Sequence, residues 1–276
     1  MSIHKNLPES DYNALSGIRS TTLTTIDRKT LAHAKYGIDV SSEDNADFSE
    51  GRAFHDLILR NNIFAKTWGI CPPDTNFTTK EGKAVKAEML SKYGDQYLKH
   101  EVYEKLLMMR SSLLQNDYIE RCLERISDTE LTIQWESEVD GLEEPVLCKC
   151  RIDAVIKING QTIIADLKTT KDASPKGFKN ASASYGYFIQ SAHYLEGAIE
   201  AGILDRGDTN FIHIVVEKSA PYLSALYVFD DASLEVGKER RNRAIKKYVE
   251  AEKSNEWEGY GDEPITLSAP DYYFNI

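Results

Sequence analysis

Between residues 148 and 170 apolar and polar positions alternate in two runs, Cys148 to Ile158 and Gln161 to Thr170, joined by Asn159-Gly160. A period of two predicts strands, and Asn-Gly between β-branched runs predicts a two-residue type I′ hairpin. In such a turn Ile158 opposes Gln161. Counting outward, Asp153 opposes Asp166 and Arg151 opposes Lys168. Ile152, Ala154, Ile156, Ile158, Ile163, Ala165 and Leu167 then form one apolar face, and Arg151, Asp153, Val155, Ile164, Asp166 and Lys168 form the other.

Helical spacing predicts helices over 9–36, over the segment SEGRAFHDLILRN that Ser49 can cap, and over 80–93. It predicts two more within 97–127, one over 184–202 and one over 231–253. Strands are expected at 130–136, 210–218 and 222–230, and polar loops at 37–48, 71–83 and after Lys168. The tail beyond Lys253 shows no period. This order predicts an α/β protein with a mixed β-sheet flanked by helices. We expect a single domain over 1–276: a mainly helical part (9–127), a core of sheet and helices (128–253) and a C-terminal tail (254–276).

A chain of 276 residues can bury a substantial core. Its net charge of −11 argues against coating nucleic acid by bulk electrostatics but leaves room for a local basic channel. Cys71, Cys122, Cys148 and Cys150 form no Cys-x-x-Cys pair, so reduced thiols are expected rather than a zinc site or a disulfide framework. The polar start MSIHKNLPESDY and the lack of a long apolar run predict a soluble, cytoplasmic protein with no membrane partner.

Candidate chemistry centres on the hairpin. Opposed carboxylates destabilise a sheet and raise one pKa unless a cation lies between them. A divalent ion such as Mg²⁺, held by one or two carboxylates, resolves both problems, and Lys168 could orient or deprotonate a water beside it. The plainer alternative is an exposed sheet face on which Arg151 and Lys168 neutralise the aspartates. His55, one turn after Gly51, is a candidate ligand or a structural histidine. Thr78, Thr79, Lys80 and Lys83, together with Lys171, Lys176 and Lys179, stand in loops that can meet phosphates or simply be solvated. Gln190 and Tyr194 are four apart on one helix and point the same way. The segment KERRNRAIKK places Arg240, Arg241 and Arg243 in the most basic stretch of the chain, a solvated face or a phosphate-facing patch.

The ordered set Gly51-x-x-x-His55, Glu130, Arg151-Ile152-Asp153, Asp166-Leu167-Lys168 and Gln190-x-x-x-Tyr194 resembles the PD-(D/E)xK nuclease superfamily. Within it the set looks like the RecB-like branch, and the local wording is similar to the exonuclease VIII (RecE) nuclease domain over about residues 9 to 250. The resemblance implies a restriction-endonuclease-like core with a helical N-terminal elaboration. It implies a catalytic set of Asp153, Asp166, Lys168, His55 and Glu130, with Mg²⁺ or Mn²⁺ held by His55, Asp153, Asp166 and the Leu167 carbonyl. Glu136 and Glu138 compete with Glu130 for the upstream acidic position. Arg151, Gln190, Tyr194, Thr78, Lys80, Lys83, Lys171, Arg240, Arg241 and Arg243 would face DNA.

No cysteine follows Cys150, so no iron-sulfur cluster is expected. The implied activity is 5′ to 3′ exonuclease action on double-stranded DNA ends, leaving 3′ overhangs for recombination. The enzyme would form a homo-oligomeric ring, a tetramer or trimer, beside a single-strand annealing protein, and be of phage or prophage origin. Two other readings stand beside it: a RecB-like nuclease acting on single strands in repair or defence, and an idle scaffold that binds DNA ends.

Overall fold

The computed structural model describes residues 1–39 and 46–270. A short strand β1 (Ser2–His4) precedes helices α1 (Glu9–Ala14), α2 (Ser20–Arg28), α3 (Leu31–Asp39), α4 (Ala46–Leu59) and α5 (Asn61–Thr67). Strand β2 (Gly69–Ile70), helix α6 (Lys80–Tyr93) and strand β3 (Tyr97–Leu98) make a small lobe, followed by α7 (His100–Leu114) and α8 (Asp117–Glu124). Then come β4 (Ile126–Ser137), β5 (Val146–Ile158), β6 (Gln161–Thr170), α9 (Pro175–Tyr185) and α10 (Tyr187–Glu200). Strands β7 (Phe211–Glu217) and β8 (Ser224–Tyr227) and the long helix α11 (Asp231–Ser254) complete the order.

The main sheet runs β1-β4-β5-β6-β7-β8, antiparallel throughout except for the parallel pair β6 and β7. A mixed sheet flanked by helices was the expectation, and it holds. Two apolar clusters pack it. The first joins Leu23 and Ile26 of α2, Ile189 and Leu195 of α10 and Ile245 of α11 to Ile133, Trp135 and Cys150 of the sheet. The second joins Phe54 and Leu57 of α4 and Leu106 and Leu113 of α7 to Ile156, Ile163 and Ile214. Among the described residues no helix is long and apolar enough to cross a membrane.

Several boundaries differ from expectation. The helix expected over 9–36 is three helices, broken at Leu15 and Lys29, where the backbone leaves the helical region. The loop expected after Lys168 contains α9, started by Ser174, whose Oγ accepts from Gly177 N at 3.1 Å, and by Pro175 in the first turn. Strands β1, β2 and β3 were not foreseen; they are too short to show a period. The polar loop over 37–48 and the end of the tail lie partly outside the described residues.

The hairpin turn is as expected. Asn159 and Gly160 both have positive φ, 52° and 78°, the pattern a type I′ turn demands. Pairing runs from Ile158↔Gln161 to Ala154↔Ala165 in the expected register. The face assignment needs correction. Ile152 packs with Val155 and Ile164 in the first cluster, whereas Ala154 and Ile156 pack in the second. Residues three apart share a strand face only if the alternation breaks between them. On β4 the matching position is Glu130, between the pairs Thr129↔Ala154 and Leu131↔Ile152, and it has φ +49°. A non-glycine residue in the left-handed region is uncommon and costs about 1 kcal/mol or more. The break therefore falls where β4 and β5 carry Glu130 and Asp153.

Candidate metal and nuclease site

The break in β4 and β5 opens onto a cleft of about 810 Å³ whose walls include Arg52, His55, Arg60, Glu130, Arg151 and Asp153. Helix α4 brings His55 to it, and Asp56 anchors that helix by accepting from Arg60 Nε at 3.0 Å and Trp68 Nε1 at 2.9 Å. Ligand atoms of His55, Glu130 and Asp153 all lie within 4.8 Å of one another. His55 Nε2 meets the Leu167 carbonyl at 2.9 Å. A carbonyl only accepts, so Nε2 carries the proton and Nδ1 keeps its lone pair. That lone pair faces Asp153 Oδ2 at 3.6 Å, so two acceptors confront each other.

Electrostatics sharpen the conflict. Burial and the charge of Asp166 push the Asp153 carboxyl well above the usual carboxylate range. Burial and then Asp153 raise Glu130, although Arg151 Nε stands 2.9 Å from its Oε2. Burial lowers His55, keeping it neutral. A neutral imidazole with a free nitrogen beside two destabilised carboxylates suits a hard divalent cation with mixed oxygen and nitrogen ligands, so this donor set fits Mg²⁺ or Mn²⁺.

Asp166 is held differently. Its Oδ1 accepts from Gln190 Nε2 at 2.9 Å, while Lys168 Nζ lies 2.7 Å and His213 Nδ1 3.4 Å from its Oδ2. Burial would raise this carboxyl, but Lys168 and His213 override it and hold it well below the usual range. Burial would likewise lower Lys168, and Asp166 and Asp153 reverse that, so the ammonium stays charged. The pairing of β5 with β6 stops at Ala154↔Ala165, and the buried Leu167 N–H donates to Asp153 Oδ2 at 2.9 Å. The expected pair of equivalent aspartates is thus asymmetric: Asp153 belongs to the His55 group and Asp166 to Lys168. The Leu167 carbonyl is engaged by His55.

Other sequence-derived candidates separate. Glu130 lines this cleft, whereas Glu136 and Glu138 line a different groove with Glu196 and Leu234. Arg151 lines the cleft and Gln190 touches Asp166. Tyr194 is 8% exposed and packed in the first core cluster. Arg241 is also a correction: it is 1% exposed, ion-paired to Glu196, and donates to His193 Nδ1 at 3.1 Å and Ser137 Oγ at 2.9 Å. Arg240 and Arg243 both reach Asp27 of α2, at 3.2 and 3.6 Å, so the basic run on α11 largely ties helices together. Thr78 donates to Asn76 Oδ1 at 2.8 Å in the turn before α6; Lys80 and Lys83 are exposed on α6, and Lys171 is exposed after β6. His213, fully buried against Asp166, was missed; an isolated imidazole inside the apolar run FIHIVV was the signal.

A family model described as "PDDEXK-like domain of unknown function (DUF3799)" matches residues 23–264. A crystal structure described as "Putative exonuclease" from Eubacterium rectale superposes with a TM-score of 0.63 at 12% identity, over 95% of this chain and 97% of that one. The solved structure of SSO0001 covers 86% of this chain and 83% of its own at 13% identity, with a TM-score of 0.34, too low to bear on the fold. No curated protein matches by sequence.

Proposed function

This chain belongs to the PDDEXK-like family DUF3799 and has a restriction-endonuclease-like fold, and from that premise we propose that it is a divalent-metal-dependent DNA exonuclease. The observation that carries the reading is the confrontation of His55 Nδ1 with the Asp153 carboxylate, beside Glu130 and next to the Asp166–Lys168 pair. The description of the Eubacterium rectale structure as a "Putative exonuclease" adds support.

His55, Glu130 and Asp153 would hold Mg²⁺ or Mn²⁺, with Asp166 as the adjoining carboxylate. When bound, the ion supplies positive charge against phosphoryl oxygens and acidifies nearby water. The chain's own groups do the rest. The His55 Nε2–H bond to Leu167 fixes the tautomer and aims Nδ1. Lys168, whose ammonium is held by Asp166 and Asp153, would donate to the phosphoryl group as negative charge builds in the transition state. Gln190 orients Asp166, which in turn orients Lys168. Arg151 at the cleft wall, with Lys80, Lys83 and Lys171 on the surface, would steady the DNA backbone.

We assign the action to double-stranded ends in the 5′ to 3′ direction in the cytoplasm, within a homo-oligomeric ring beside an annealing protein in recombination. This rests on the resemblance of the motif set to exonuclease VIII relatives. Blunt duplex labelled at either end, incubated with and without Mg²⁺, tests it: loss of the 5′ strand first supports it. Preferential attack on single strands favours the repair or defence reading, and end binding without cleavage favours the idle scaffold. A monomer by light scattering removes the ring.

A further inference from the structure

Helix α9 ends at Tyr185 and α10 begins at Tyr187, with Gly186 between them at φ 74° and ψ 33°. A Cβ at Gly186 would lie 2.7 Å from Thr24 Cγ2, so glycine is required both by the turn and by the close approach to α2. In an unbroken helix residues two apart do not face each other. Here the break stacks the two tyrosine rings, with centroids 5.7 Å apart and planes at 24°. Tyr187 is stacked in turn on His213, at 5.8 Å and 29°, and the Lys168 ammonium lies 4.7 Å from the Tyr187 centroid.

Three near-parallel rings therefore form a ladder leading outward from Asp166 and Lys168. The inner ring, His213, is fully buried, and the outer one, Tyr185, is 62% exposed. Arg28 of α2 stands at the same junction: its exposed side chain lies 3.7 Å from where a Gly186 Cβ would stand.

We propose that Tyr185 is a stacking platform for a nucleobase of a single DNA strand whose phosphate is engaged at Lys168. This deepens, and rests on, the nuclease reading. A flat ring at the open end of a stack, with the Lys168 ammonium at the next ring for the backbone, matches the way proteins hold single strands without reading sequence. Within a duplex both faces of a base are covered by its neighbours, so the platform takes a base at a frayed end or in a separated strand. Tyr187 carries the ladder back to the site and holds Lys168 over its ring.

The test is fluorescence anisotropy in EDTA, which halts turnover, with a labelled thymidine oligonucleotide and an abasic oligonucleotide of equal length. Tyr185→Ala should weaken binding of the thymidine strand about 5- to 150-fold. Tyr185→Phe should stay within about twofold of the wild type, and the abasic strand should bind wild type and Tyr185→Ala alike. Equal affinity of Tyr185→Ala and wild type for the thymidine strand overturns the proposal. So does an equal loss on both strands, which would make Tyr185 a backbone or folding residue, and so does wild-type protein that binds neither strand. The nuclease reading fails on a different result, absence of metal-dependent cleavage by the wild type, which leaves the strand comparison intact.

Discussion

Lys168 Nζ stands 2.7 Å from Asp166 Oδ2, and both groups are largely withdrawn from water. The pair is the second half of the site, distinct from the His55, Glu130 and Asp153 group, beside which Arg151 Nε stands 2.9 Å from Glu130 Oε2. Because Asp166 and Asp153 overcome the effect of burial, Lys168 remains protonated. Lys168→Met is expected to lower cleavage about 10²- to 10³-fold. It should also tighten divalent-ion binding, because Asp166 loses its competing ammonium. Cleavage rates and a Mn²⁺ titration measure the two effects separately.

Glu130 combines a positive φ, burial and a carboxylate neighbour, three unfavourable features at one position. Backbone strain concentrated at a site of charge is a mark of function rather than stability. Glu130→Asn, with a side chain that tolerates the left-handed region and carries no charge, should leave the stability of the metal-free protein within about 1 kcal/mol of the wild type, because the relieved backbone strain and carboxylate repulsion offset the lost Arg151 ion pair. The same change should weaken Mn²⁺ binding. Urea unfolding without metal, paired with the titration, gives both numbers.

Arg241 holds Glu196, His193 and Ser137 together beneath α11. Arg241→Ala leaves these groups without their partner and should cost about 3–5 kcal/mol. Arg240→Ala and Arg243→Ala, at exposed ends of the Asp27 contacts, should cost under about 1 kcal/mol. Thermal or urea melts of the three variants check the ranking.

His193 is buried with both ring nitrogens committed in the neutral form, Nε2 donating to the Lys149 carbonyl at 3.0 Å and Nδ1 accepting from Arg241. Burial, then the Arg241 charge, lowers its pKa from the ordinary 6.5 to about 3. Below pH 6.5 the unfolded chain takes up this proton and the folded one does not, so its share of stability is whole above 6.5 and is lost as pH falls toward 3. The slope from this group is about 1.4 kcal/mol per pH unit. Urea melts at pH 7 and pH 5 should show His193→Gln losing less stability on acidification than the wild type.

What the sequence revealed follows the range of the interactions. The hairpin was legible because Asn159-Gly160 is local turn chemistry and sets the register by itself. The break at Glu130 and Asp153 was not, because alternation continues through it in the sequence while the backbone reverses its faces. His213 reaches Asp166 only through the parallel pairing of β6 with β7, a long-range contact. Arg241 was misread although its spacing was visible: Leu234, Gly237, Arg241, Ala244 and Ile245 make a buried helical stripe, and the arginine lies on it. Gln190 reaches Asp166 from α10, whereas Tyr194, one turn on, is packed in the core.

On the proposed function, His55, Glu130 and Asp153 would hold a divalent ion for phosphodiester hydrolysis. This is tested most directly by the release of labelled nucleotides from duplex DNA as Mg²⁺ is titrated into wild-type protein and Asp153→Asn. Saturable Mg²⁺-dependent release by the wild type, abolished by EDTA and reduced at least 100-fold in the variant, is expected. Equal release by both proteins, or release that persists in EDTA, would contradict it.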